Sequence, residues 1–490
     1  MKFIVDKKDL RENGDGTYTL TVEPTEKYVP SEYTAISPMD GRYAKTGKKF
    51  SPYFSEFALV KYRVEVEVLW LQYFVGTLRE KNVVLGSVVD EKLSKLSEIF
   101  KNFSEEDFFE VKRIESVTNH DVKSVELSIV QQLEKIGLPQ LKSFVHIGCT
   151  SEDITNCSYA LMIQNAIDEV WYPNALKLVE MLNNLAQNYK DIPMLAFTHG
   201  QPATPTTVGK EFGVVAYRLR DALDKVNGVF SKAKWNGATG NYSAISFAYP
   251  EEDWIENSIE FVTEYLGLDF NPVTTQIESH DYFCEIAANI QQYNRIVANF
   301  CNDMRTYISM KLFKQIPVKS EVGSSTMPHK INPIDFENGQ ANLDKSTWDF
   351  EFMRETLTDS WMQRDLRDST VQRNLGPAFA HSLLGIERTI NGLKKVEVDN
   401  DEIARMLNSR WEVLAEPVQT VLRKHGVPDA YNRLKEITRG KNITREALLE
   451  FLNSEEIKKI LPEEDLKRLL ELTPEKYIGL APTIVEKFIQ

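Results

Sequence analysis

Cysteine and histidine are scarce in this chain. Its 490 residues hold four cysteines, Cys149, Cys157, Cys284 and Cys301, and seven histidines. No two cysteines form a CxxC pair, and each stands in apolar or helix-patterned sequence, as expected of buried thiols in a reducing compartment. Long apolar runs are missing: nothing approaches the roughly eighteen residues of a membrane span, and the run near Met1–Leu10 is too short for a signal peptide. An excess of positive charge is missing too. There are 58 Lys and Arg against 72 Asp and Glu, a formal charge of −14, which argues against nucleic acid and anionic membrane as partners. HExxH, a Gly-rich phosphate loop and a strand–turn–helix serine-hydrolase signature are all absent, so metal hydrolysis, nucleotide hydrolysis and serine-hydrolase chemistry have no support. The expectation is a soluble, cytoplasmic protein in which an anionic ligand must be met by local basic residues.

What is present is helix. Residues 51–75 carry Phe57, Val60, Val64, Val68 and Leu71 on one face. Val122, Val125, Ile129, Leu133 and Ile136 form a second stripe. Three further segments repeat apolar residues with alternating spacings of four and three: Val208, Phe212, Val215, Leu219, Ala222, Val226 and Val229; Ile286, Ile290, Tyr293, Val297, Phe300, Met304 and Tyr307; and Phe379, Leu383, Ile386, Ile390 and Leu393. Such seams predict an all-α protein with a central bundle of long helices, packed within one chain or between chains. Residues 1–32 read as a separate N-terminal extension, in which Tyr18, Leu20 and Val22 after Asn13-Gly14-Asp15-Gly16 suit a small hairpin or a mobile tail. The expected domains are 33–139, 140–393 with the bundle, and 394–490 with shorter, more charged helices interrupted at Gly426-Val427-Pro428, Arg439-Gly440-Lys441 and Leu461-Pro462.

Polar loops stand beside these helices. Thr118-Asn119-His120-Asp121 looks like a helix start in which Thr118 caps and Asp121 occupies the first turn. Thr150-Ser151-Glu152-Asp153 is a second start, and helix N-termini suit carboxylate and phosphate, although most bind nothing. Thr198-His199-Gly200-Gln201-Pro202 reads as a polar loop ahead of the first heptad segment. Gly323-Ser324-Ser325-Thr326-Met327-Pro328-His329-Lys330-Ile331-Asn332-Pro333 joins adjacent hydroxyls, a His-Lys pair and an Asn between prolines that keep it out of a helix. Taken alone, it is a Ser/Pro-rich surface loop or a mobile catalytic one.

Together these segments resemble the fumarase/aspartase superfamily, whose GSSxMPxKxNP loop is matched by residues 323–333. Within it, Ser37-Pro38-Met39-Asp40-Gly41-Arg42-Tyr43, Thr118–Lys123, Cys149–Asp153, Thr198–Pro205, Thr275–Glu278, Trp361–Leu366 and Asp368–Thr370 resemble the bacterial-type adenylosuccinate lyase family, from about residue 33 onward.

The resemblance implies β-elimination of fumarate from adenylosuccinate, giving AMP, and from the succinylated carboxamide ribotide SAICAR, giving AICAR. It implies Ser324 as general base, His199 as general acid, and Lys330 and Asn332 stabilising the developing dianion. Arg42, Tyr43, Asn119, His120, Asp121, Thr150, Ser151, Gln276, Ser325, Ile331 and Asn338 match further substrate contacts. Arg364, Ser369, Thr370, Val371, Gln372 and Arg373 match the phosphate end. On a helical reading, Ser369 and Arg373 share a face, the alternative being salt bridges of the basic residues with Asp365 and Asp368. His280 and His329 could be structural. The resemblance implies no cofactor and no metal, and a homotetramer whose active sites are shared between subunits. Argininosuccinate lyase, or a scaffold without activity, is the rival reading.

Overall fold

The computed structural model describes residues 10–12, 18–20, 35–86, 88, 90–318, 326–327, 329–427 and 444–489. Two helix starts depart from the expected pattern, each for a capping reason. The helix expected over 51–75 breaks at Ser55, which is extended (φ −72°, ψ 160°) and accepts a hydrogen bond from the Ala58 N–H at 3.1 Å. Helix α1 (Glu56–Leu78) begins there and buries Val60, Val64, Val68 and Leu71. At the second start, Thr118 is the last residue of α2 (Glu105–Thr118) and does not cap α3 (Asp121–Lys135). Asn119 closes α2 in the left-handed region (φ 52°), which reverses the chain. His120 then caps α3 itself, its Nδ1 accepting from the Lys123 N–H at 3.2 Å. A neutral imidazole with a free lone pair meets the same need as a hydroxyl or carboxylate.

The centre is a bundle of long helices. Helix α4 (Ser151–Ala166) runs through a π turn at Ile167–Trp171 into α5 (Tyr172–Asn188). These are followed by α6 (Val208–Asn227), α7 (Asp281–Ser309), α8 (Ile334–Leu357), the short α9 (Arg367–Gln372) and α10 (Leu375–Leu393). Helix α6 packs against α5 and α7, and α8 lies between α7 and α10. The heptad residues Phe212, Leu219, Ala222, Ile290, Val297, Met304, Phe379, Leu383 and Ile386 are all buried in this core. A chain of buried hydrogen bonds threads it. Trp171 Nε1 donates to Ser382 Oγ (2.8 Å), which donates to Asn294 Oδ1 (2.7 Å). Asn294 Nδ2 donates to Ser346 Oγ (3.1 Å), which donates to the Ala378 carbonyl (2.8 Å). Every polar atom in that chain has a partner, so burial carries little penalty and the relative register of four helices is fixed.

Strands are accessories. β1 (Leu10–Glu12) and β2 (Tyr18–Leu20) pair antiparallel with Leu10 opposite Leu20, the hairpin of the two alternatives, while its turn at 13–17 lies outside the described residues. β3 (Pro193–Thr198) and β4 (Gln201–Thr207) form a hairpin closed by His199 (φ 54°) and Gly200 (φ 72°). Two successive positive φ values are what a two-residue turn between right-twisted strands demands; the expected loop is thus the tight turn of a hairpin. β5 (Lys232–Ala233) pairs with β6 (Asp269–Phe270), and β7 (Phe313–Gln315) with β8 (Val396–Val398).

Past residue 394 a second apolar cluster forms from Leu407, Leu414, Val418, Leu422, Leu448, Leu452 and Leu469, joined by Leu195 of the β3 strand. The last helix, Ala481–Phe488, returns to the bundle against α6, placing Val485 and Ile489 in the main core. The break expected at Arg439-Gly440-Lys441 lies outside the described residues. Among the described residues, no helix is long and apolar enough to cross a membrane.

Candidate active site

The start of α4 is locked in place by a buried ion pair. Asp153 Oδ2 accepts from the Thr150 N–H at 2.8 Å, reaching back to the residue that precedes the helix. Its Oδ1 lies 2.8 Å from Lys234 Nζ, with the two side chains 1% and 0% exposed. The same oxygen accepts from the Asn236 and Gly237 N–H groups at 3.2 and 3.3 Å. Lys234 Nζ also donates to the Gly237 carbonyl at 3.0 Å. A charged pair this dry stands only because its hydrogen-bonding capacity is filled. The loop it holds comes close to a third segment: Asn236 Nδ2 donates to Thr274 Oγ1 (2.8 Å) and Gln276 Nε2 to the Ala238 carbonyl (2.9 Å). Thr150, Ser151 and Gln276 thus stand on one pinned surface, each half-buried.

The start of α3 is tied to the same region by arginines. Asp121 Oδ2 accepts from Arg63 Nη1 at 2.8 Å and from Arg373 Nη2 at 3.1 Å. Burial raises the Asp121 carboxyl, but the guanidinium of Arg63, helped by the Val122 N–H and Arg373, outweighs it and holds the group at about 2. Arg373 Nη1 also donates to the Ser369 carbonyl at 2.8 Å and to its hydroxyl, the i, i+4 relationship expected. Arg364 pairs with Asp368 through Nη1 and reaches Glu152 Oε2 through Nη2 at 3.4 Å. Between them, Gln276 N–H donates to the Gln363 carbonyl at 3.3 Å. Residues 363–373 are thereby stitched to both helix starts. The salt-bridge alternative is also present, since Arg364 pairs with Asp368 and Arg367 with Asp365. Asn119, His120 and Thr370 are exposed there; Val371 is in the core and Gln372 is buried.

The remaining candidates lie elsewhere on the chain. Asn338 Nδ2 on α8 donates to Tyr43 Oη at 3.2 Å, next to the exposed Arg42. Lys330 and Ile331 are exposed, and Asn332 half-buried, just before α8. Lys330 N–H donates to the Met327 carbonyl at 3.0 Å, and the Ile331 carbonyl accepts from Gln315 Nε2 at 2.6 Å. His199 is exposed at the hairpin tip. Ser324 and Ser325 lie outside the described residues. Among the described residues, no hydrogen bond or ion pair joins the Tyr43–Asn338 group or His199 to the two helix starts.

Sequence reasoning gave no role to Lys234, none to Glu152 beyond its place in the helix-start motif, and to Asp368 only that of a salt-bridge partner of the basic residues. Lys234 sits in an unremarkable Lys-Ala-Lys-Trp run, and nothing in the sequence marks it as buried. His280 is 3% exposed and begins α7 at φ 61°. Of the four cysteines expected to be buried, Cys157 and Cys301 are, whereas Cys149 and Cys284 are half-buried; desolvation pushes the Cys149 and Cys157 thiols well up.

Comparison with known proteins is consistent across its kinds. A family model described as Lyase matches residues 41–344, and one described as Adenylosuccinate lyase C-terminal matches residues 360–478. The chain is 45% identical to the adenylosuccinate lyase of Escherichia coli (strain K12) over 458 residues, covering 93% of this chain and 99% of that one. It is 44% identical to the adenylosuccinate lyase of Vibrio cholerae over 460 residues, covering 93% and 99%. Among solved structures, a fumarate lyase from Mesorhizobium superposes with a TM-score of 0.71 at 19% identity, covering 90% of this chain and 97% of that one. The β-carboxy-cis,cis-muconate cycloisomerase of Acinetobacter calcoaceticus superposes with a TM-score of 0.67 at 18% identity, covering the same shares. The fold is therefore the all-α fumarase/aspartase fold, and the chain belongs to the adenylosuccinate lyase family of carbon–nitrogen lyases.

Proposed function

We propose that the chain cleaves adenylosuccinate to AMP and fumarate, and SAICAR to AICAR and fumarate, in the cytoplasm as part of purine biosynthesis. The observation that carries this reading is identity of 45% to an adenylosuccinate lyase over 93% of the chain. The basic segment 363–373, tied to both polar helix starts, supports it further.

In this reaction Ser324 takes a proton from the carbon beside a succinyl carboxylate. The electron pair left behind spreads into that carboxylate, the C–N bond breaks, and His199 gives a proton to the departing nitrogen. Lys330 and Asn332 stabilise the dianion, an electrostatic contribution that is often the largest in such catalysis. The start of α4, at Thr150 and Ser151, receives the other succinyl carboxylate. Arg364, Ser369 and Arg373 take the phosphate, answering the net negative charge of the chain locally. Arg42, Tyr43, Asn119, His120, Asp121, Gln276, Ser325, Ile331 and Asn338 line the nucleotide, with Val371 and Gln372 supporting the phosphate segment from behind. His199 at the tip of a hairpin, without a hydrogen bond or ion pair to the helix starts among the described residues, fits a homotetramer in which different subunits supply the parts of each site.

The test is an ultraviolet assay of purified protein with adenylosuccinate, alongside Ser324→Ala and His199→Ala and with sedimentation of each. Turnover lost in both variants, with unchanged circular dichroism and a tetrameric mass, is the expected result. A folded wild type without turnover, or a fully active monomer, overturns the substrate or the shared site respectively.

A further inference from the structure

Beneath Arg364 lie three side chains that the reaction above does not use. Glu152, His280 and Asp368 are 3%, 3% and 8% exposed, and each brings one ligand atom within 4.8 Å of the others. Glu152 Oε1 and both ring nitrogens of His280 are buried without a hydrogen-bond partner. His280 is held there by its backbone, whose N–H donates to Glu278 Oε2 at 2.7 Å. Two carboxylates meanwhile share one guanidinium, closely at Asp368 and loosely, at 3.4 Å, at Glu152.

Leaving a buried carboxylate oxygen and an imidazole both unpaired is costly. A hydrogen on Glu152 pairs Oε1 with one of the two ring nitrogens of His280. The hydroxyl donates to an imidazole lone pair, and a neutral acid stops competing with other anions for Arg364. We propose that Glu152 is a positioning residue for Arg364, standing as a neutral carboxylic acid hydrogen-bonded to neutral His280, with Asp368 the guanidinium's one anion. The positioning role rests on the reading that Arg364 binds the substrate phosphate. The surrounding charges agree with this protonation. Burial raises Glu152, Asp368 and Asp153 add to that, and Arg364 and Lys234 oppose it, leaving the carboxyl at about 8. Burial lowers His280 to about 4, against the pull of Asp368 and Asp281 and with Arg364 adding to the fall. At neutral pH the proton therefore resides on the acid.

Glu152→Gln keeps the shape, the neutrality and a donor, so its KM should stay within about twofold of wild type at pH 7. Glu152→Ala should raise KM about tenfold with kcat little changed. Above pH 8 the wild-type KM should climb as the acid ionises and recaptures Arg364, and the Glu152→Gln KM should not. Infrared difference spectra of the free enzyme should show a carboxylic-acid C=O band at pH 7 that fades above pH 8 and is missing in Glu152→Gln. Absence of that band, or a Glu152→Gln KM as high as that of Glu152→Ala, overturns the proposal in favour of an ionised Glu152. A stoichiometric divalent cation in the purified protein, lost in both Glu152→Gln and His280→Ala, overturns it in favour of a metal site. An unchanged KM in Arg364→Ala overturns the phosphate reading and with it the positioning role, whereas the infrared band reports the proton in either case.

Discussion

His146 and Glu67 meet inside the protein, Nδ1 to Oε1 at 2.6 Å, with the glutamate side chain fully buried and the imidazole 18% exposed. Burial lowers His146, but Glu67, with Glu126 and Asp153 behind it, raises it more, so it titrates above its ordinary value. The pair's charge-dependent stability is then complete below the unfolded histidine value of about 6.5 and is lost as pH rises through the folded value. His146→Gln should lower the melting temperature most at about pH 6 and progressively less as pH rises through the raised folded value. A melting-temperature difference that stays constant across that range would show that the pair gains nothing from charge.

The Asp153–Lys234 pair predicts a different pattern. Lys234→Met leaves a carboxylate in a dry site with only N–H donors, a loss of about 3–5 kcal/mol. Asp153→Asn in the same chain removes the stranded charge while keeping an oxygen for the Asn236 and Gly237 N–H groups. The double variant should therefore be more stable than Lys234→Met alone in urea unfolding. Independent, additive losses would sink the coupling.

These two pairs also mark how far the sequence is legible. The heptad seams of α6, α7 and α10 announce themselves because apolar burial imposes a period. Helix α8 does not, although it lies at the centre. Its inward residues include Gly339, Asn342 and Ser346, and it packs by hydrogen bonds, Ser346 to Ala378 and Asn342 to His381. Partners for such polar positions come from distant chain segments, so no local pattern encodes them. The candidate site was legible as motifs, in Thr150–Asp153 and residues 364–373, because its chemistry needs particular side chains. What escaped was support: Lys234 and the capping role of His120, both of which depend on contacts made only in the fold. The hairpin at His199-Gly200 was open to inference from its Gly, but prolines at 202 and 205 pointed to a loop.

Gly240 is required by both its backbone and its surroundings. It stands at φ +75°, and a Cβ there would lie 2.2 Å from the Thr274 carbonyl oxygen. Gly240→Ala must therefore push the 236–240 loop off the 274–276 segment, loosening the Asn236–Thr274 and Gln276–Ala238 bonds. A loss of about 2 kcal/mol or more is expected in urea unfolding, with a raised KM if Gln276 contacts substrate. Gly240→Ala as stable as wild type would mean that the loop relaxes without cost.

The arginines of residues 364–373 separate a binding role from a structural one. Arg367 pairs with Asp365 and Asp359 and is 49% exposed, so Arg367→Ala should change stability by no more than about 1 kcal/mol and leave KM alone. Arg373→Ala removes one partner of Asp121, but Arg63 stays at 2.8 Å, so the fold should hold. If Arg373 takes the phosphate, its loss should raise KM for adenylosuccinate roughly tenfold to a hundredfold, the worth of a charge-assisted hydrogen bond. Arg373→Lys should recover only part of this, because an ammonium cannot hold Ser369, Asp121 and a phosphate oxygen with one planar fork. The dephosphorylated substrate discriminates further: wild type and Arg373→Ala should handle succinyladenosine equally poorly. A KM penalty that persists with succinyladenosine would place Arg373 in the architecture of the site, holding Asp121 and the start of α3, and would leave the phosphate to Arg364 alone.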